Sequence, residues 1–270
     1  MIDQRLHGQD LRPAYDERVV ADGLSVEIPD GSFTVIVGPN ACGKSTLLRA
    51  LSRMLRPKAG TVYLDGAAIS SQPSKQVART LGLLPQSPIA PDAITVADLV
   101  ARGRYPHQGL LRQWSPDDAR AVSEALAATA TTELAERPVD ELSGGQRQRV
   151  WLAMALAQET PILLLDEPTT FLDIAHQIEV LDLCADLRED RGHTLVAVLH
   201  DLNHACRYAT HLIAMRDGCI VAEGAPSEIV DAALVEAVFG LPCQVIEDPE
   251  SGTPLVVPAA RTPVAGRRRT

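Results

Sequence analysis

Hydrophobic residues in this chain fall into two patterns that predict two kinds of element. Phe33-Thr34-Val35-Ile36-Val37, Thr80-Leu81-Gly82-Leu83-Leu84, Ile162-Leu163-Leu164-Leu165 and Thr194-Leu195-Val196-Ala197-Val198-Leu199 are short, nearly continuous apolar runs. Runs of this kind belong to strands covered on both faces, as in a parallel sheet. Val150, Ala153, Met154 and Ala157 instead recur at helical spacing. Ala119, Val122, Leu126 and Thr129 repeat that spacing after Ser115-Pro116, an N-cap followed by proline at the first helical position. Strands and helices in alternation predict the α/β class.

The segments between these runs divide the chain. Residues 1–14 are polar without clear periodicity; Val19-Val20 and the alternating Val26 and Ile28 predict short strands, and Asp30-Gly31 a hairpin-type turn into the run at 33–37. Thr61 to Leu64 before Asp65-Gly66, and Leu212 to Met215 with Asp217-Gly218 and Ile220 to Ala222, read as strands with turns. Between Gln86 and Leu142 the pattern turns helical, with one helix over 95–104 and a turn-rich surface loop over 103–109. These features predict a core of about 1–94 and 146–240, a helical insertion of about 95–145, a last helix capped by Ser227 that stops near Gly240, and a tail over 241–270. The tail ends in Arg267-Arg268-Arg269, too few basic residues for the usual lipid-binding cluster, so a solvated end is expected.

Composition narrows the function. At 270 residues and 46% hydrophobic the chain can bury a full core. A net charge of −10 with 3% aromatic residues supplies neither a basic field nor a base-stacking platform, so no nucleic-acid partner is expected. No apolar segment approaches the roughly 18 to 20 residues that span a bilayer, and the first residues do not form a signal-type apolar region, so a cytoplasmic chain is expected. The five cysteines have no metal-type spacing and read as small buried apolar residues, except Cys42, a candidate for modification because of where it lies.

Cys42 belongs to Gly38-Pro39-Asn40-Ala41-Cys42-Gly43-Lys44-Ser45-Thr46, which fits the phosphate-loop pattern G-x-x-x-x-G-K-S/T between a predicted strand and a predicted helix. Glycines let the backbone curl so that successive N–H groups and the helix N-terminus surround a phosphate. Lys44 would reach the β- and γ-phosphates of a nucleotide and Ser45 would offer its hydroxyl to Mg²⁺. Three more strand ends deliver polar residues to the same rim: Gln86, the pair Asp166-Glu167, and His200. Asp166 suits the metal and Glu167 a general base that orients water against the γ-phosphate. Leu142-Ser143-Gly144-Gly145-Gln146 opens a helix in which Ser143 is a ready cap, while two glycines weaken the start unless a ligand approaches the backbone. Asp173 either caps the helix after it or crosses an interface.

This order of motifs, from about Tyr15 to Gly240, resembles the ATP-binding cassette (ABC) ATPases. Gly38 to Thr46 is similar to the Walker A loop, Gln86 to the Q-loop, Leu142 to Gln146 to the family signature, Ile162 to Glu167 to Walker B, Asp173 to the D-loop and His200 to the switch histidine. Tyr15 stands where the family places an aromatic ring against adenine. The resemblance implies a P-loop NTPase (RecA-like) core with an antiparallel β subdomain and an inserted α-helical subdomain. It also implies Gln86 beside Ser45 and Asp166 at Mg²⁺, catalytic Glu167, His200, Lys44 and Gln86, and a homodimer in which Ser143, Gly144, Gly145 and Gln146 complete the partner's ATP site, with Asp173 at the contact.

The segments around the phosphate loop, Leu83-Leu84-Pro85-Gln86-Ser87 and Arg102-Gly103-Arg104-Tyr105-Pro106-His107 look like the branch that powers import of iron–siderophore complexes and related chelates, including cobalamin, with import of cobalamin, haem or another substrate as the alternative to a ferric siderophore. That branch implies a separate membrane permease, an extracytoplasmic substrate-binding protein, and a peripheral position on the cytoplasmic face of the membrane. Ala41 departs from the glycine usual in the family, so a positive φ there would strain the loop; Phe171 departs from the usual small residue. An exporter cassette, a soluble ABC ATPase and a P-loop kinase are the rivals. Exporters usually fuse cassette and membrane domain, soluble members carry coiled coils, zinc motifs or two cassettes, and a kinase has no use for Ser143-Gly144-Gly145.

Overall fold

The computed structural model describes residues 4–109 and 114–260. In chain order the strands are β1 (Leu6–Leu11), β2 (Ala14–Tyr15), β3 (Arg18–Val19), β4 (Leu24–Ile28), β5 (Phe33–Val37), β6 (Thr61–Leu64), β7 (Ala67–Ala68), β8 (Leu81–Leu84), β9 (Ile162–Asp166), β10 (Thr194–Val198), β11 (His211–Arg216), β12 (Cys219–Gly224), β13 (Cys243–Glu247) and β14 (Pro254–Pro258). The helices are α1 (Lys44–Leu51), α2 (Ser74–Thr80), α3 (Val96–Ala101), α4 (Pro116–Ala128), α5 (Gly144–Ala157), α6 (Ile174–Arg191), α7 (Leu202–Tyr208), α8 (Pro226–Ile229) and α9 (Ala232–Phe239).

The four apolar runs all lie in one sheet of order β12-β11-β5-β10-β9-β8, parallel except at the β11–β12 edge. Alternate side chains of these strands feed two cores. Val35, Leu163, Leu165, Leu195 and Ala197 face α5, α6 and α7. Ile36, Leu164, Val196 and Val198 face α1 and the antiparallel sheet β4-β1-β6-β7. The parallel register levels the strand ends, setting Leu84 beside Leu165, and Asp166 and Ile36 on either side of Val198. The residues that follow β5, β8, β9 and β10 therefore emerge on a common rim.

Several elements differ from the sequence expectation. β1 lies in the stretch expected to be irregular; its register slips between Gly8 and Leu11, where Asp10 takes φ +48°, and this bulge breaks the two-residue period. Asp30-Gly31 joins two sheets and is no hairpin, since β4 pairs with β1 and β5 with β10 and β11. Thr80 ends α2 instead of starting a strand. The single helix expected over 95–104 stops at Ala101 and tightens into a 3-10 helix, Arg102–His107. The surface loop expected there is instead inserted, with Gly103, Arg104 and Pro106 buried; a Cβ on Gly103 would meet the Met154 carbonyl at 2.3 Å. On α4 the buried face is Asp118, Ala121, Val122, Ala125 and Leu126, so Ala119 points outward. Ser227 lies inside α8, and the last helix is capped by Asp231, which accepts the Leu234 amide at 2.7 Å. Residues 243–258 form the β13–β14 hairpin, packed on α7, where a tail was expected; Arg267 to Arg269 lie outside the described residues.

Candidate functional site

A cleft of about 730 Å³ opens on the rim, lined by Tyr15, Arg18, Val19, Val20, Asn40, Ala41, Gly43 to Thr46, Gln86, Glu167 and His200. Gly38, Pro39, Cys42 and Asp166 lie just behind this lining. Gly38 takes φ +152°, and a Cβ there would sit 2.2 Å from the Met215 carbonyl of β11, so only glycine lets the loop pass that strand. Gly43 takes φ +110° and opens α1 with no side-chain cap, which leaves the first amides of the helix for a ligand. Lys44 is buried and donates to the carbonyls of Gly38 and Pro39 at 2.8 and 2.9 Å, so a phosphate must take the ammonium from them.

Ala41 does take a positive φ, +62°, as its departure from glycine made a point of concern. Cys42 is buried at the back of the loop, and burial pushes its thiol up, so the expected susceptibility to modification is not a property of this fold. Ser45 donates its hydroxyl to Asp166 Oδ1 at 2.7 Å. Asp166 Oδ2, also buried, takes no hydrogen bond among the described residues and has Arg49 Nε at 3.9 Å. Burial pushes the Asp166 carboxyl up, against the pull of the Ser45 hydroxyl and Arg49. A hydroxyl beside a carboxylate with one unpartnered oxygen is an oxygen donor set that fits a hard divalent cation.

Glu167 and His200 meet directly, with His200 Nε2 2.7 Å from Glu167 Oε1. Thr170 Oγ1 donates to the other Glu167 oxygen at 3.2 Å. Glu167 holds φ +57° and Phe171 φ +67°; positive φ in residues with side chains is strained backbone of the sort that gathers at functional sites. Asp173 caps α6, accepting from the His176 amide at 3.0 Å and lying 2.8 Å from its Nδ1. Ser143 caps α5 in a capping box with Gln146. None of Ser143, Gly144, Gly145 and Gln146 lines the cleft of its own chain.

The sequence model of the ABC transporter domain matches residues 21–170. The chain belongs to the ABC transporter family. It is an ATP-binding subunit that hydrolyses ATP. It is 60% identical over 258 residues to the ferric enterobactin transport ATP-binding protein of Escherichia coli (strain K12), covering 96% of this chain and 95% of that protein. To the petrobactin import ATP-binding protein FpuD of Bacillus anthracis it is 52% identical over 267 residues, covering 99% and 96%. A dimeric bacterial ABC transporter cassette superposes with TM-score 0.74 at 27% identity, covering 82% of this chain and 98% of that one.

In this ABC cassette the structure gathers Tyr15, residues 38–46, Gln86, Asp166, Glu167 and His200, while the signature and Asp173 stand apart. Arg49 and Arg18 are additions. Arg49 donates to the Tyr15 hydroxyl at 3.0 Å while facing Asp166, joining the two ends of the cleft, and Arg18 pairs with Tyr15 across the β2–β3 turn. The signal for Arg49 was its place four residues after Ser45, on the same face of α1; Arg18, one of three consecutive charged residues with Asp16 and Glu17, carried none. A Cβ on Gly144 would lie 3.4 Å from Phe171 Cβ, an ordinary contact, whereas one on Gly145 would lie 3.3 Å from Leu172 Cδ2, so of the two only Gly145 sits in a tight place.

Proposed function

We propose that two copies of this chain sandwich two Mg-ATP molecules and drive import of a ferric siderophore through a membrane permease. The observation that carries the hydrolytic reading is the Glu167–His200 contact at 2.7 Å on the rim of the phosphate loop. Tyr15 stacks on adenine; the amides of residues 40–46 and Lys44 take the phosphates. Ser45, Asp166 and Gln86 would hold Mg²⁺, which supplies charge neutralisation between the β- and γ-phosphates. Glu167 orients the attacking water and accepts its proton, and Lys44 and His200 stabilise charge on the transferred phosphoryl group.

Ser143, Gly144, Gly145 and Gln146 serve the partner's ATP. Support for this is that they lie outside their own cleft and that a dimeric cassette shares the fold. The helical part, about 95–145, moves against the core on closure, and the groove near Gln86 takes a cytoplasmic helix of the permease, which places the dimer on the cytoplasmic face of the membrane. An extracytoplasmic capture protein delivers the chelate. The substrate class rests on the two relatives, whose names specify ferric enterobactin transport and petrobactin import.

The test is to co-purify the permease, add the capture protein, and measure ATP hydrolysis with ferric siderophore, cobalamin and haem in turn. Stimulation by the ferric siderophore is expected. A response only to cobalamin or haem would overturn the substrate and leave the cassette mechanism standing.

A further inference from the structure

We propose that Asn203 is a positioning residue for His200, and that the C-terminal β13–β14 hairpin holds it in place. Asn203 is the second residue of α7, three residues after His200. Its carboxamide binds both backbone groups of one hairpin residue: the Val256 amide donates to Oδ1 at 2.7 Å, and Nδ2 donates to the Val256 carbonyl at 3.3 Å. Two bonds from a planar group to one residue fix direction as well as distance. Val256 is buried and shares a core cluster with Leu199, Ala205 and Cys206, so the hairpin is docked into the domain and does not lie loosely on it.

The His200 side chain is 48% exposed, so apart from its 2.7 Å contact with Glu167 little packing sets where the ring goes. The backbone on either side does. Before His200, the Leu199 amide donates to the Ile36 carbonyl at 3.3 Å, continuing the β10–β5 register. After it, Asp201 caps α7 by accepting the His204 amide at 2.9 Å. The far end of α7 is tied to α6 by Tyr208, whose hydroxyl donates to Asp182 at 2.7 Å. The near end, next to His200, is held from outside by the Asn203–Val256 pair. Without that pair α7 pivots about Tyr208 and carries the imidazole away from Glu167, and a displacement of about 1 Å in a catalytic group costs up to about a hundredfold in rate.

This inference rests on the role proposed for His200, and the test separates the two. ATP hydrolysis by the purified full-length chain is measured for Asn203→Ala, His200→Ala and the double variant. For Asn203→Ala we expect kcat about tenfold lower with KM for ATP unchanged, because Tyr15 and the phosphate loop are untouched. In the His200→Ala background the same substitution has no further effect. Asn203→Asp keeps the acceptor for the Val256 amide and recovers part of the loss; it takes the place of Asn203→Ala in the cycle if that variant does not fold. An equal fractional loss in both backgrounds, or an unchanged kcat, overturns the anchor. If His200→Ala itself leaves kcat unchanged, the role of His200 falls and the anchor with it; if it lowers kcat while Asn203→Ala does not, the anchor alone falls.

Discussion

Replacing Arg104 with Met tests how the helical part of the cassette is held together. The Arg104 side chain is 4% exposed, and its guanidinium donates to Asp118 Oδ1 at 2.9 Å, to the Ala157 carbonyl at 2.7 Å and to Glu159 Oε2 at 2.8 Å. One side chain thus ties the start of α4 to the end of α5. Methionine keeps the length and loses every donor. Glu159 is one-third exposed and keeps Arg120 at 3.1 Å, so its share of the loss is small. Asp118 is buried and, among the described residues, left with only the Ser115 hydroxyl and amide at 2.8 and 2.9 Å. Breaking a buried pair from one side costs about 3 to 5 kcal/mol, and the remaining Ser115 bonds favour the low end, about 3 kcal/mol.

For a chain of this size 1 kcal/mol moves Tm by about 2 to 4 °C, so thermal unfolding followed by circular dichroism at pH 7 should show a fall of about 6 to 12 °C. Adding Asp118→Asn should restore at least half of it, because the stranded charge is then gone. Burial pushes the Asp118 carboxyl up, but hydrogen bonds from Arg104 and Ser115 outweigh this and hold it below the ordinary aspartate value. Its ionised form therefore stabilises the fold above that ordinary value, and the contribution is lost as pH falls through the lowered one. The gap between parent and Arg104→Met should accordingly narrow in acid. A fall of less than about 2 °C at pH 7, or no recovery with Asp118→Asn, would show that the pair is not the tie described.

Glu167→Gln should lower phosphate release by about a hundredfold or more and trap an ATP-bound dimer on size exclusion; near-normal turnover would remove Glu167 from the base role. Gly38→Ala should abolish nucleotide binding in a fluorescent-ATP titration, since its Cβ would meet the Met215 carbonyl at 2.2 Å. In native thiol labelling, exposed Cys219 should react first and Cys42, Cys184 and Cys206 only after unfolding; burial pushes the thiols of Cys184 and Cys206 up to about 12, so rapid native labelling of any of the three would contradict their packing.

What the residues revealed in advance was governed by local rules. A buried parallel strand has to be an apolar run, and a phosphate loop has to carry glycine where the backbone turns against β11, so β5, β9, β10 and Gly38 to Thr46 were legible. The rim residues could be placed because each follows such a run directly. What stayed hidden depends on tertiary packing. The bulge at Asp10 erased the period of β1. The buried 3-10 helix over Arg102–His107 looks like a loop in sequence because its core contacts are made by one glycine, one proline and an ion-paired arginine. The β13–β14 hairpin is half exposed and lacks the alternation of a covered strand, yet it docks through Val256.

The strained turn after β9 explains why these residues work as a set. Thr170 bonds to Glu167 through both its amide, to the Glu167 carbonyl at 3.2 Å, and its hydroxyl, to the carboxylate at 3.2 Å. Phe171 and Leu172 come next and lie against Gly144 and Gly145 at the start of α5, while Phe171 itself is 76% exposed. Under the proposed dimer, Glu167 acts on the ATP of its own chain and the signature glycines on the partner's. Six residues then join one catalytic carboxylate to the other half-site. Two positive φ values, at Glu167 and Phe171, hold that path in a shape the chain would not adopt unaided. In that dimer, a signature helix displaced by the partner's nucleotide would push on Phe171 and Leu172, and through Thr170 on Glu167, so engagement at one ATP would be felt at the carboxylate facing the other.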